Sequence, residues 1–112
     1  MPSSRAELRF RDIVENIDLI LEFTKGMELD RFLADNRTRL AVERCLSIIS
    51  EAARKLGSEA EARCPEIPWG QVRGLGNWLR HDYDQMDYSV IWDTLTEDLR
   101  ALRAACQREL KP

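Results

Sequence analysis

At 112 residues the chain is long enough for one domain with a single modest core, so the expected organisation is one unit over residues 1–112. Hydrophobic residues at 44% and charged residues at 33% describe a globular chain with a well-solvated surface. A formal net charge of -3 argues against a protein coated in positive potential for long duplex DNA. It leaves open a smaller nucleic-acid target, because the cations are nearly all arginine and can be focused in one place. Cys45, Cys64 and Cys106 form no CxxC pair, and one histidine cannot complete a zinc set with them, so neither a metal nor another cofactor is expected. Cys45 and Cys106 fall at apolar helical positions and read as core filler. The N-terminal Met-Pro-Ser-Ser-Arg lacks a signal-peptide apolar segment, and no run approaches membrane-spanning length, so the expected compartment is the cytosol.

From Ala6 to Lys25, Phe10, Ile13, Val14, Ile17, Leu21 and Thr24 recur at spacings of three and four. This is one face of an amphipathic helix, with Ser3 or Ser4 available as N-cap and Gly26 as its end. Leu29, Phe32 and Leu33 suggest a short helical continuation, which Asp35 or Asn36 either breaks or absorbs. Arg37 to Leu56 reads as a second long helix with Ala41, Val42, Cys45, Ile48, Ile49, Ala52, Ala53 and Leu56 on its apolar side, stopped by Gly57. Ser58 to Pro68 reads as a loop, and Pro68 suits the first turn of a third helix over Trp69 to His81. Ser89 to Leu110 forms the last long helix, carrying Ile91, Trp92, Leu95, Leu99, Leu102 and Cys106. No segment reads as a strand. The fold class is therefore all-α, an antiparallel four-helix bundle extending to five if the short segment counts.

The run Arg73-Gly-Leu-Gly-Asn-Trp-Leu-Arg-His-Asp-Tyr83 concentrates the chemistry. His81 is the only histidine, and imidazole moves protons near neutral pH while arginine forks onto phosphate oxygens. On a helix Arg73, Asn77 and His81 stack on one face, separate from the packing residues Val72, Leu75 and Leu79. Arg80 flanks the histidine about 100° around the axis. Tyr83 joins His81 only if the helix ends or unwinds near Asp82. Gly74 and Gly76 each cost a helix about 1 kcal/mol relative to Ala, a cost kept where a backbone, a second subunit or a phosphate must come close. Arg73 could equally pair with an acidic neighbour. Trp69, Trp78 and Trp92 read as packing or interface residues before base-stacking platforms.

The tract Ile67-Pro-Trp-Gly-Gln-Val-Arg-Gly-Leu-Gly-Asn-Trp-Leu-Arg-His-Asp-Tyr83, followed by Val90-Ile-Trp-Asp-Thr94, resembles the HepT-like toxins of the HEPN superfamily. The resemblance extends upstream through Arg9–Ile13 and Ala41–Ala52, in order, over nearly the whole chain. It implies a helical homodimer that brings an arginine–histidine–tyrosine motif from each subunit to a shared cleft and cleaves RNA (tRNA among the candidate targets) without metal. It also implies a minimal nucleotidyltransferase antitoxin as partner, with Tyr83 contacting RNA or receiving AMP. The matching residues are Asn77, His81 and Tyr83. Gly76 stands where the family has its motif arginine, leaving Arg73 and Arg80 as sources of the guanidinium. A variant that binds its partner or RNA without cutting is the alternative reading.

Overall fold

Phe10, Ile13, Ile17 and Ile20 are fully buried, which fixes the inward stripe of α1 (Pro2–Phe23) as the centre of the core. A computed structural model describes residues 2–81 and 88–110 of the protein, with side chains for residues 5–76 and 88–110. All regular structure among them is helical: α2 spans Leu29–Ala34, α3 Asn36–Leu56, α4 Ser58–Arg63, α5 Trp69–His81, α6 Tyr88–Asp93 and α7 Leu99–Arg108. A π-helical turn, Thr94–Asp98, joins the last two.

α3 is the central element, packed on α1 along one side and on α5 along another, while α7 closes over α1. Val42, Leu46 and Ile49 of α3 are fully buried, and Ala52 and Ala53 let the neighbouring helices approach closely. Ala41 and Ile48, expected on the same stripe, lie at its half-buried margin, and Leu46 replaces them in the centre. All three cysteines are buried free thiols, and desolvation pushes the Cys106 thiol up to about 12. Cys45 and Cys106 thus fill the core as expected, and Cys64, placed by sequence in a loop, joins them.

Three local outcomes differ from the sequence expectation. α1 begins at Pro2, so Ser3 and Ser4 lie inside it; proline suits the first helical turn because its φ is pre-set and it has no N–H to leave unpaired. Residues 58–63, expected as loop, form α4, because Ser58-Glu-Ala-Glu-Ala-Arg puts acids in the first turn and arginine in the last. The expected single helix from Ser89 to Leu110 is interrupted by the π turn. There Thr94 Oγ1 donates to the Val90 carbonyl at 3.1 Å and Thr96 Oγ1 to the Trp92 carbonyl at 3.0 Å. Hydroxyls competing for helical carbonyls widen such a turn.

The joints have clear chemical causes. Asp35 caps α3 by accepting from the Thr38 N–H at 3.0 Å and its hydroxyl at 2.9 Å, which holds the Asp35 carboxyl below the usual range. Gly57 ends α3 with φ of 59°, a conformation that favours glycine. Trp69, nearly fully buried, donates its indole N–H to the Cys64 carbonyl at 2.9 Å and so fixes where α5 starts. Phe32 of α2 meets Trp92 of α6 at 5.0 Å between ring centroids. Trp69 and Trp92 are therefore packing residues, as read from the sequence; the Trp78 side chain lies outside the described residues.

Two glycine substitutions should move stability in opposite directions. Gly57→Ala meets no atom within 4 Å but must adopt a positive φ, and should cost about 1–2 kcal/mol. Gly74 is helical and exposed with nothing within 4 Å of an added Cβ, so Gly74→Ala should gain about 1 kcal/mol. Urea melts of both variants against wild type check the pair.

Candidate functional site

α5 runs to His81, so Arg73, Asn77, Arg80 and His81 belong to one helix, as the sequence predicts. The side chains of Asn77, Arg80 and His81, and the whole of Tyr83, lie outside the described residues. What the structure does show is how the helix that carries them is held.

The hold comes from α3. Ser50, buried among apolar residues, donates its hydroxyl to the Arg73 carbonyl at 2.8 Å and accepts from the Gly76 N–H at 3.0 Å. Gly76 is itself buried, and its N–H makes a backbone contact with α3. The two internal glycines thus divide in role: Gly76 meets a neighbouring helix, while a Cβ at Gly74 would meet nothing within 4 Å among the described residues.

Arg73 is a clamp. Its Nε donates to the Ala53 carbonyl at 3.2 Å, one terminal nitrogen donates to the Gly57 carbonyl at 2.8 Å, and the fork grips Glu61 at 2.7 and 2.8 Å. The guanidinium thereby satisfies carbonyls at the end of α3 and ties α4 to α5. Hydrogen bonding to Arg73 lowers the Glu61 carboxyl below its ordinary 4.5, and Glu61 in turn raises Arg73. Delivering this group to a phosphate would require breaking all four bonds.

Seven residues before Ser50, and so on nearly the same face of α3, Glu43 accepts from the Tyr88 hydroxyl at 3.1 Å. The Arg39 guanidinium lies over the Tyr88 ring at 4.9 Å and donates to the Leu33 carbonyl and Asn36. α3 therefore holds the chain on both sides of the motif, at Arg73 and Gly76 before His81 and at Tyr88 after Tyr83. Ser50, Glu43, Glu61 and Tyr88 escaped the sequence reading, which looked for reactive groups on the motif helix and not for its supports. The one available signal was a serine inside the apolar stripe of α3.

Glu61 gives this clamp a pH signature. Its folded pKa is lowered, so its contribution is present above the ordinary value of 4.5 and is lost as pH falls through the folded value. Glu61→Gln should flatten the fall in Tm below about pH 4.5, a range taken from the ordinary carboxyl values. Arg73→Ala should destabilise at neutral pH as well. Thermal melts across pH 3–7 read both.

Among the described residues no helix is long and apolar enough to cross a membrane, and no cluster of acid, histidine or cysteine side chains could hold a metal ion. Comparison with known proteins identifies the family. The model for "Ribonuclease HepT-like" proteins matches residues 13–109. A Thermococcus cleftensis protein named "Probable ribonuclease HepT" is 37% identical over 97 residues, covering 87% of this chain and 88% of its own. Two Methanocaldococcus jannaschii proteins named as candidate RNases are 31% identical over 111 residues and 35% over 92. The first match covers 99% of this chain and 92% of the relative, the second 82% and 84%. No solved structure matches the chain. The chain belongs to the ribonuclease HepT-like family.

Proposed function

We propose that the protein is a metal-independent endoribonuclease of a toxin–antitoxin module, working in the cytoplasm as a HEPN-type homodimer with its motifs at a shared cleft. The observation that carries this reading is the family match over residues 13–109, which includes the whole tract from Gly76 to Tyr83.

In this mechanism His81 of one subunit takes the proton from a ribose 2′-hydroxyl, and the 2′-oxygen attacks the adjacent phosphorus. The P–O5′ bond breaks, and the leaving 5′-oxygen receives a proton from the second His81. The products are a 2′,3′-cyclic phosphate and a 5′-hydroxyl. Each proton transfer by a positioned imidazole contributes roughly 10²–10⁴-fold. Because Arg73 is committed to Ala53, Gly57 and Glu61, Arg80 supplies the guanidinium that stabilises charge on the pentacoordinate phosphate. Asn77 orients a phosphate oxygen or the imidazole, and Tyr83 contacts RNA. No cofactor takes part. A minimal nucleotidyltransferase neutralises the enzyme, and AMP on Tyr83 would block the cleft by charge and volume. Gly74 supports the close approach of a phosphate: it keeps a helix-weakening residue on a face where nothing among the described residues lies within 4 Å of an added Cβ.

Gly76 favours a second reading. Its buried N–H is given to Ser50 where the family has an arginine, as in a module that binds its partner or RNA without cutting.

Growth arrest with fragmented RNA in an expressing host, preserved with purified protein in EDTA and abolished by His81→Ala, is the expected result. Full activity of His81→Ala would remove the imidazole from the mechanism, and intact RNA from folded wild-type dimer would favour the binding module. Arg80→Ala should cost at least 10²-fold in kcat with Tm unchanged. Arg73→Ala should lower Tm instead, so kinetics paired with melts separates the two arginines.

A further inference from the structure

We propose that the groove between α1 and α3 is a track for the backbone of single-stranded RNA, leading to the motif end of α5. This rests on the reading of the protein as RNA-acting, but concerns a surface apart from the motif. Two adjoining hollows form the groove, of about 350 and about 680 Å³, and they share Arg9 and Lys55 in their walls.

The charge of this groove differs in kind from that of the chain, whose net value is -3. Each carboxylate lining it is already held by an arginine: Asp12 by Arg9 at 3.4 Å, Glu51 by Arg54 at 3.1 Å and Glu59 by Arg63 at 2.8 Å. The remaining cations, Arg5, Arg44 and Lys55, make no ion pair among the described residues and are exposed. Acids neutralised in place and cations left over make a local positive strip on an acidic body. Such a strip attracts phosphates and steers them inward.

Geometry gives the strip a direction. Arg44 and Lys55 lie eleven residues apart on one side of α3, about 16 Å along its axis and enough to follow a few nucleotides. Ser50 meets Gly76 and Glu43 meets Tyr88, while Arg73 meets Gly57. α5 therefore runs antiparallel to α3, and its His81 end lies toward Arg44. A strand bound from Lys55 to Arg44 runs toward the end of α3 at which α5 ends, and passes about 120° around α3 from the face that Ser50 gives to α5. Leu8, 46% exposed, and the half-buried Ile48 offer apolar surface for bases in the same groove. Among the described residues no aromatic side chain lines it, so binding should be mainly electrostatic and strongly dependent on salt.

The test uses the full chain carrying His81→Ala, so that RNA stays intact, and a labelled single-stranded oligouridine titrated by fluorescence anisotropy at several KCl concentrations. Adding Arg44→Gln and Lys55→Gln together should weaken binding at least tenfold. It should also reduce the slope of log K against log salt by about 1.4, near 0.7 per lost phosphate contact. Arg103→Gln removes the same charge beside Asp18, half a turn out of phase with Arg9 on α1, and should change affinity by less than about twofold. Arg44→Lys with Lys55→Arg should restore binding, which separates charge from folding. Equal affinity and slope in the Gln pair, a loss no larger than that of Arg103→Gln, or no RNA binding by any form would overturn the track. Groove-dependent binding by a wild type that leaves RNA uncut would uphold the track while refuting the ribonuclease.

Discussion

The arrangement hangs on one buried hydroxyl. Ser50 bridges α3 to the backbone of α5, donating to the Arg73 carbonyl at 2.8 Å and accepting from the Gly76 N–H at 3.0 Å. A buried hydroxyl with both a donor and an acceptor role filled contributes modestly to stability, about 1 kcal/mol per bond, but it fixes rotation and register where apolar packing alone tolerates slippage. Arg73 adds a second constraint at the start of the same helix, and the Glu43–Tyr88 bond a third beyond it. The motif is thus suspended from a single helix, and that helix is itself locked to α1 by the core.

This arrangement changes how the departure at position 76 is understood. In the sequence, Gly76 stands where the resemblance to the HepT-like pattern would put an arginine. In the fold it is a contact with α3, and the nearest upstream arginine, Arg73, is spent on the ends of α3 and α4. Ser50, Gly76 and Arg73 thus hold the helix in place, and none of the groups in that hold is free to meet a phosphate without breaking it. Preorganised support of this kind matters for phosphodiester cleavage, since errors of a fraction of an ångström in imidazole placement lower the rate.

The helical character of nearly every element was legible because the apolar spacing along α1, α3 and α7 is regular and glycine or proline marks most ends. The motif helix was legible to its last residue, with Pro68 at its start and His81 at its end. What escaped depended on competition between local and distant partners. The threonines at 94 and 96 turn their hydroxyls onto helical carbonyls and open a π turn inside an otherwise regular pattern. Residues 58–63 have too few apolar positions to register as a helix, yet acids and arginine at opposite ends suffice once Gly57 has turned the chain. The supports of the site were invisible for a related reason: Ser50 and Glu61 acquire their roles only when α5 is laid against α3. Residue chemistry pointed to candidate groups on α5, while tertiary contact alone named the groups that hold that helix.

The most direct test of the central claim, that His81 carries the protons in a reaction needing no metal, is the pH dependence of kcat/KM for RNA cleavage in EDTA. The account predicts a bell-shaped profile, with limbs of about tenfold per pH unit and inflections in the imidazole range between about pH 5 and 8, abolished in His81→Ala. A rate that climbs steadily to alkaline pH without an imidazole inflection, or that appears only when a divalent metal is restored, would contradict it.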